Sequence, residues 1–166
     1  MHNKGYIGIK KRSVGAIVPL MLITIGFYEF YLIYVWTDDI NRIDKNAKRD
    51  TTLPVIISIL TLGIAMPIYK IAYAYNITSF TRANRVKGRS SALGDFVVCL
   101  VITGIALRLF GRLLTDLSTG TLFMLTLAGL GASIWASCQI QEELNNISEN
   151  YAPEEKSDDF AFKMPS

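Results

Sequence analysis

The feature that most constrains this chain is a set of apolar stretches too long and too bare of charge for a small soluble domain. Thr51–Tyr69 contains no Asp, Glu, Lys or Arg, and neither does Leu117–Ile140. Ser13–Trp36 carries a single charge, Glu29. A helix on a soluble domain needs a polar stripe to face water, and these blocks offer none. At ~1.5 Å per residue, about 20 apolar residues cross a ~30 Å hydrocarbon core. Composition agrees: 51% of the 166 residues are hydrophobic and 19% charged, with a mean hydropathy of +0.31. Soluble domains carry about a quarter charged residues.

These blocks imply an all-α protein, a polytopic membrane helical bundle of about four transmembrane helices. The expected spans are 13–36, 51–69, 92–114 and 117–140. They form a helical domain over 13–148, between a basic segment (1–12) and an acidic, disordered tail (149–166). The third span is the shortest in apolar length. Only Phe96–Leu107 is free of charge, so Asp95 sits at one interface and Arg108 snorkels to the other; a re-entrant or interfacial helix is the alternative. The spans are expected to continue as helices beyond the bilayer at 37–48, 70–81 and 140–148. In the first of these, helical spacing pairs Asp39 with Arg42 and Asp44 with Lys48. Tyr69, Tyr73 and Tyr75 are placed as anchors at the membrane interface.

A basic start before an apolar run also describes a signal peptide, but this run is too long for one and no A-x-A site follows. With four alternating spans, eleven of the 17 Lys and Arg fall on the side holding both termini. Both termini are therefore expected in the cytoplasm. Cys99 and Cys138 lie inside apolar blocks and His2 is the only histidine, so neither a disulfide framework nor a zinc site is expected. No cofactor is implied. The basic clusters beside apolar spans suit anionic lipid better than nucleic acid, and no nucleic acid partner is expected.

Two segments echo each other. Ile23-Thr24-Ile25-Gly26-Phe27 precedes Tyr28, Tyr31 and Tyr34; Leu60-Thr61-Leu62-Gly63-Ile64 precedes Tyr69 and Tyr73. Thr103-Gly104 is a fainter third copy. A duplicated helical unit and a chance likeness between apolar segments both fit.

The same residues carry a family resemblance. Arg12-Ser13-Val14, Thr24-Ile25-Gly26-Phe27-Tyr28, the aromatic stretch Tyr31–Trp36 and Asp39-Ile40-Asn41 are followed late in the chain by Gln141-Glu142-Glu143-Leu144-Asn145-Asn146. Over roughly residues 12–147 the chain resembles the small bacterial multi-pass membrane proteins classed as domain of unknown function 4234. It departs from that pattern at Glu29 and near Tyr34. The resemblance implies a location in a bacterial cytoplasmic membrane and supplies no activity.

Glu29 is the sharpest single candidate, because an ionisable group inside a span is costly. Relaying protons, binding a cation and pairing with Arg108 or Arg112 from another helix are the functional alternatives; a position near an interface, or a neutral carboxyl bonded to a tyrosine, is the structural one. Arg82, Arg85, Lys87 and Arg89 are candidate contacts for lipid headgroups. Gly129, Gly131, Ala132 and Ser133 make a candidate helix-packing face. No GxSxG, Walker A, HExxH or GxGxxG motif occurs. The expected function is therefore non-enzymatic: an accessory, scaffold or lipid-contacting module, with membrane lipid, a second copy or another membrane protein as partner. The alternative is a small oligomeric channel or transporter using Glu29 and the tyrosine-rich helix faces.

Overall fold

The computed structural model describes residues 8–44, 49–86, 93–113 and 118–151, with the side chains of 108 and 110–113 outside that description. All regular structure in it is helical: α1 (Val14–Ile23), α2 (Tyr28–Ile43), α3 (Leu53–Leu60), α4 (Met66–Ala83), α5 (Leu93–Leu113) and α6 (Thr119–Asn150). Among the described residues, α6 is the one helix long and apolar enough to cross a membrane.

The expected spans 13–36 and 51–69 are not single helices. Each is broken at its Thr-x-Gly element, for the same reason. Ile25 and Gly26 take φ of 51° and 88°; Leu62 and Gly63 take 50° and 85°. Two successive left-handed residues cannot continue a right-handed helix. The Gly26 N–H donates to the Met21 carbonyl at 2.8 Å and the Gly63 N–H to the Ser58 carbonyl at 2.7 Å, closing the two helix ends alike. Each threonine joins the two sides. The Thr24 hydroxyl donates to the Leu20 carbonyl (2.7 Å) and accepts from the Tyr28 N–H (3.0 Å). The Thr61 hydroxyl donates to the Ile57 carbonyl (2.8 Å) and accepts from the Ala65 N–H (3.2 Å).

The breaks reverse the chain. Arg12, just before α1, pairs with Asp39 near the end of α2 at 2.5 Å, so α1 and α2 are the arms of a hairpin. Arg49, just before α3, donates to the Asn76 side chain of α4 at 3.2 Å, making a second hairpin. A third, longer one is built by α5 and α6. The Gly94 N–H donates to the Thr78 hydroxyl (3.2 Å), seating the start of α5 beside the later part of α4. Farther along, a Cβ at Gly104 would lie 3.2 Å from the Gly129 carbonyl oxygen, so the two backbones nearly touch. Thr103-Gly104 sits within α5 and breaks nothing, so the third copy of the echo is not a turn.

The first two copies match in packing as well as in turn chemistry. Ile17, Met21, Glu29, Ile33, Trp36, Thr37 and Ile40 are buried, and so are Pro54, Ser58, Met66, Lys70, Tyr73, Ala74 and Ile77 at the corresponding places. The equivalent residues Trp36 and Tyr73 meet edge to face, with ring centroids 6.4 Å apart. Parallel α2 and α4 thus form the centre of the bundle, and α6 closes it with Ala136, Ile140, Leu144 and Ile147.

The hairpins sort polarity lengthwise. The described charged side chains near the start of α1, the ends of α2 and α4, the α2–α3 connection, the start of α5 and the end of α6 gather at one end. The tips of the first two hairpins form an apolar opposite end, with Ile25 89% and Leu62 92% exposed. Helix does continue past 36, 69 and 140, as expected, but the expected pairing differs. Arg42 bonds Asp38 at 2.9 Å because Asp39 faces inward to Arg12. α2 ends at Ile43, so helical spacing does not extend to Asp44 and Lys48, and Lys48 lies outside the described residues.

Candidate functional site

Glu29 sits in the first turn of α2, where the left-handed turn swings it into the bundle. Among the described residues it pairs with Lys70 of α4 at 2.5 Å; the side chains of Arg108 and Arg112, the expected partners, lie outside the described residues. Lys70 is 1% exposed. Its ammonium also donates to the Ser133 hydroxyl (2.7 Å) and to the Ser133 carbonyl (3.1 Å) in α6. An ammonium has three donors, and three acceptor oxygens lie within 3.1 Å of this one. One ionic cluster therefore ties together both short hairpins and the long one.

Read along the sequence, Lys70 merely closes an apolar block. Only the reversal at Leu62-Gly63 carries it back into the core beside Glu29. The signal that could have found it is the duplication: Lys70 falls where the first copy has the buried Ile33.

Above this pair opens a groove of about 680 Å³ between the two hairpin tips and the α5–α6 hairpin. Its walls include Ile25, Phe27, Phe30, Leu62, Ile64, Met66, Ile105, Leu109 and Leu130, and among the described residues its one charged or polar lining side chain is Glu29. Such a groove suits an apolar chain and offers one polar handle at its floor.

The expected packing face is split. A Cβ at Gly104 would meet the Gly129 carbonyl oxygen at 3.2 Å and the Ala132 Cβ at 3.7 Å, so Gly129 and Ala132 do face a neighbouring helix. Ser133 serves Lys70. Gly131 is exposed, with open space where a Cβ would be.

At the polar end a second network joins the start of the chain to α2 and α6. The Trp36 indole N–H donates to Gln141 (3.0 Å), and the Gln141 amide donates to Asn145 (3.0 Å). The Asn145 side chain accepts from the Arg12 N–H (3.1 Å) and donates to the Arg12 carbonyl (2.7 Å). Asn41 makes the same two-way clasp with the Arg49 backbone, at 2.9 and 2.6 Å. Burial raises the pKa of the Asp39 carboxyl from its ordinary value, and the Arg12 guanidinium offsets part of that shift. The motif residues Arg12, Trp36, Asp39, Asn41, Gln141 and Asn145 thus build fasteners between distant segments.

Arg82 and Arg85 are exposed at the end of α4, while Lys87 and Arg89 lie outside the described residues. Tyr73 is no interfacial anchor: it is buried, its hydroxyl 2.6 Å from that of Thr37. Tyr31, Tyr34 and Tyr75 are exposed. Among the described residues no group of His, Cys, Asp or Glu is arranged to hold a metal ion.

No curated protein and no solved structure matches this chain. Residues 12–146 match the family model described as Domain of unknown function (DUF4234), and the chain belongs to that family.

Proposed function

We propose that this is a non-enzymatic integral membrane protein, a lipid-contacting module. Its α5–α6 hairpin spans the bilayer, and its two shorter hairpins enter from the polar face and return to it. The observation that carries this reading is the lengthwise sorting of charge against bare apolar tips. Ile25 and Leu62 are large apolar side chains held outward on strained turns, a wasteful arrangement in water. A charged end stays in water or among headgroups, and apolar tips lower their free energy in hydrocarbon.

This arrangement alters the expected topology while keeping both termini on the cytoplasmic side. Four alternating spans put the connection 37–50 opposite Arg82 and Arg85. Hairpins put it on their side, so the basic residues of both join those of the N-terminal segment. That strengthens the bias the positive-inside rule reads. A channel or transporter built on Glu29 has less in its favour, because Lys70 neutralises Glu29 in place.

The test is labelling from each face. In a chain lacking Cys99 and Cys138, Asp50→Cys and Arg85→Cys are treated with a membrane-impermeant maleimide in right-side-out and inverted membrane vesicles. Both are expected to react only in inverted vesicles, and Ile25→Cys and Leu62→Cys in neither. Reaction of Asp50→Cys and Arg85→Cys from opposite faces would restore alternating spans. Release of the chain by carbonate would remove the membrane reading altogether.

A further inference from the structure

We infer that this protein is a leaflet wedge: it bends, or collects on, membranes convex toward its polar end. The inference rests on the hairpin insertion proposed above and adds an activity to it. The warrant is a match of lengths. α1 has 10 residues and α3 has 8, which at 1.5 Å per residue are about 15 Å and 12 Å long. Half of a ~30 Å hydrocarbon core is about 15 Å. The tips of both short hairpins therefore stop near the bilayer mid-plane. α5, with 21 residues, is about 31 Å long and reaches through.

The cross-section of the molecule then differs between leaflets. Of the six described helices, the leaflet on the polar side must accommodate all, and the far leaflet meets α5 and α6 alone. Each helix displaces a disc about 10 Å across, so the near leaflet is spread and the far one is not. A bilayer spread on one side lowers its free energy by curving away from that side.

Two features make the wedge stiff. Both tips are fixed by the same closed turn, with the threonine hydroxyl bonded on both sides. The hairpins are also locked to each other and to α6 by the Glu29–Lys70–Ser133 cluster, at the depth where an unpaired charge would be least tolerated. A flexible pair of hairpins could flatten along the surface, whereas this pair holds its depth.

The experiment reconstitutes the full-length chain, carrying Asp50→Cys and lacking Cys99 and Cys138, into giant vesicles of zwitterionic and anionic phospholipid. An impermeant fluorescent maleimide marks only molecules whose polar end faces outward. A membrane tube is pulled, and label per lipid is compared between the tube and the flat membrane. A ratio above unity that rises as the tube narrows is expected. An Ile25→Lys/Leu62→Lys chain, whose tips cannot stay in hydrocarbon, should resist carbonate through α5–α6 yet lose the enrichment. A carbonate-resistant parent chain with equal density on tube and flat membrane overturns the wedge and leaves membrane insertion standing. A parent chain released by carbonate overturns both.

Discussion

The ammonium of Lys70 lies 2.5 Å from the Glu29 carboxylate, in a core whose other members are mostly apolar. Removing Glu29 strands the Lys70 charge, which is 1% exposed, a loss of about 3–5 kcal/mol. Glu29→Gln should therefore lower the unfolding transition in detergent sharply. Lys70→Met alone should cost less, because Glu29 borders the groove, while Glu29→Leu combined with Lys70→Met should recover most of the loss. A double variant no more stable than its parents would mean the pair does not act as a unit.

A second fastener is tested at Gln141. It accepts from the Trp36 indole and donates to Asn145, and both Trp36 and Gln141 are fully buried. Gln141→Leu leaves the indole N–H without an acceptor, costing about 1–3 kcal/mol. Adding Trp36→Phe removes the stranded donor and should return part of that loss. Chemical unfolding followed by near-ultraviolet circular dichroism measures both steps.

These relationships were only partly legible in the sequence. Helical class, the position of Glu29 in an apolar setting and the echo of Thr24-Ile25-Gly26 in Thr61-Leu62-Gly63 all follow from local residue chemistry. What the echo does is not local. A Thr-x-Gly inside an apolar run is compatible with a straight span or a slight bend. Only paired left-handed residues at Ile25-Gly26 and Leu62-Gly63 turn it into a reversal. Once the chain reverses, Lys70 ceases to be a boundary residue and Tyr73 ceases to be an interfacial one. Those two misplacements therefore share one cause. Trp36 with Gln141, and Arg12 with Asn145, were visible only as motif residues, because their meeting depends on how α6 closes the bundle.

Two carboxylates at the polar end should give stability opposite slopes with pH. Burial raises the Asp39 pKa, with Arg12 and Arg42 opposing and Asp38 reinforcing the shift. The folded protein thus holds that proton more readily than the unfolded chain, whose ordinary value is about 3.9. Its contribution is complete below that value and is lost as pH rises through the folded one. Asp50 is shifted down, chiefly by hydrogen bonds from Thr52, so its contribution is present above about 3.9 and lost as pH falls through its folded value. Asp39→Asn should flatten the decline above pH ~4 and Asp50→Asn the decline below it. Melting temperatures across that range decide the matter; an unchanged profile in either variant refutes the corresponding assignment.

The two turns offer the cleanest comparison, because their glycines differ in surroundings but not in backbone. A Cβ at Gly26 would meet nothing within 4 Å, and one at Gly63 would meet the Met66 sulfur at an ordinary 3.6 Å. Neither Gly26→Ala nor Gly63→Ala is therefore penalised by a clash. Each should still cost about 1–2 kcal/mol, because alanine is disfavoured in the left-handed region. Ile25 and Leu62 already carry that strain, with φ of 51° and 50°. Ile25→Asn and Leu62→Asn should therefore raise stability in detergent, since asparagine tolerates this conformation. In bilayers the same exchanges put an amide into hydrocarbon at the tips, so the sign should reverse. Thermal unfolding of each variant in detergent and in lipid nanodiscs reads both signs, and a gain that persists in lipid would place the tips outside the membrane.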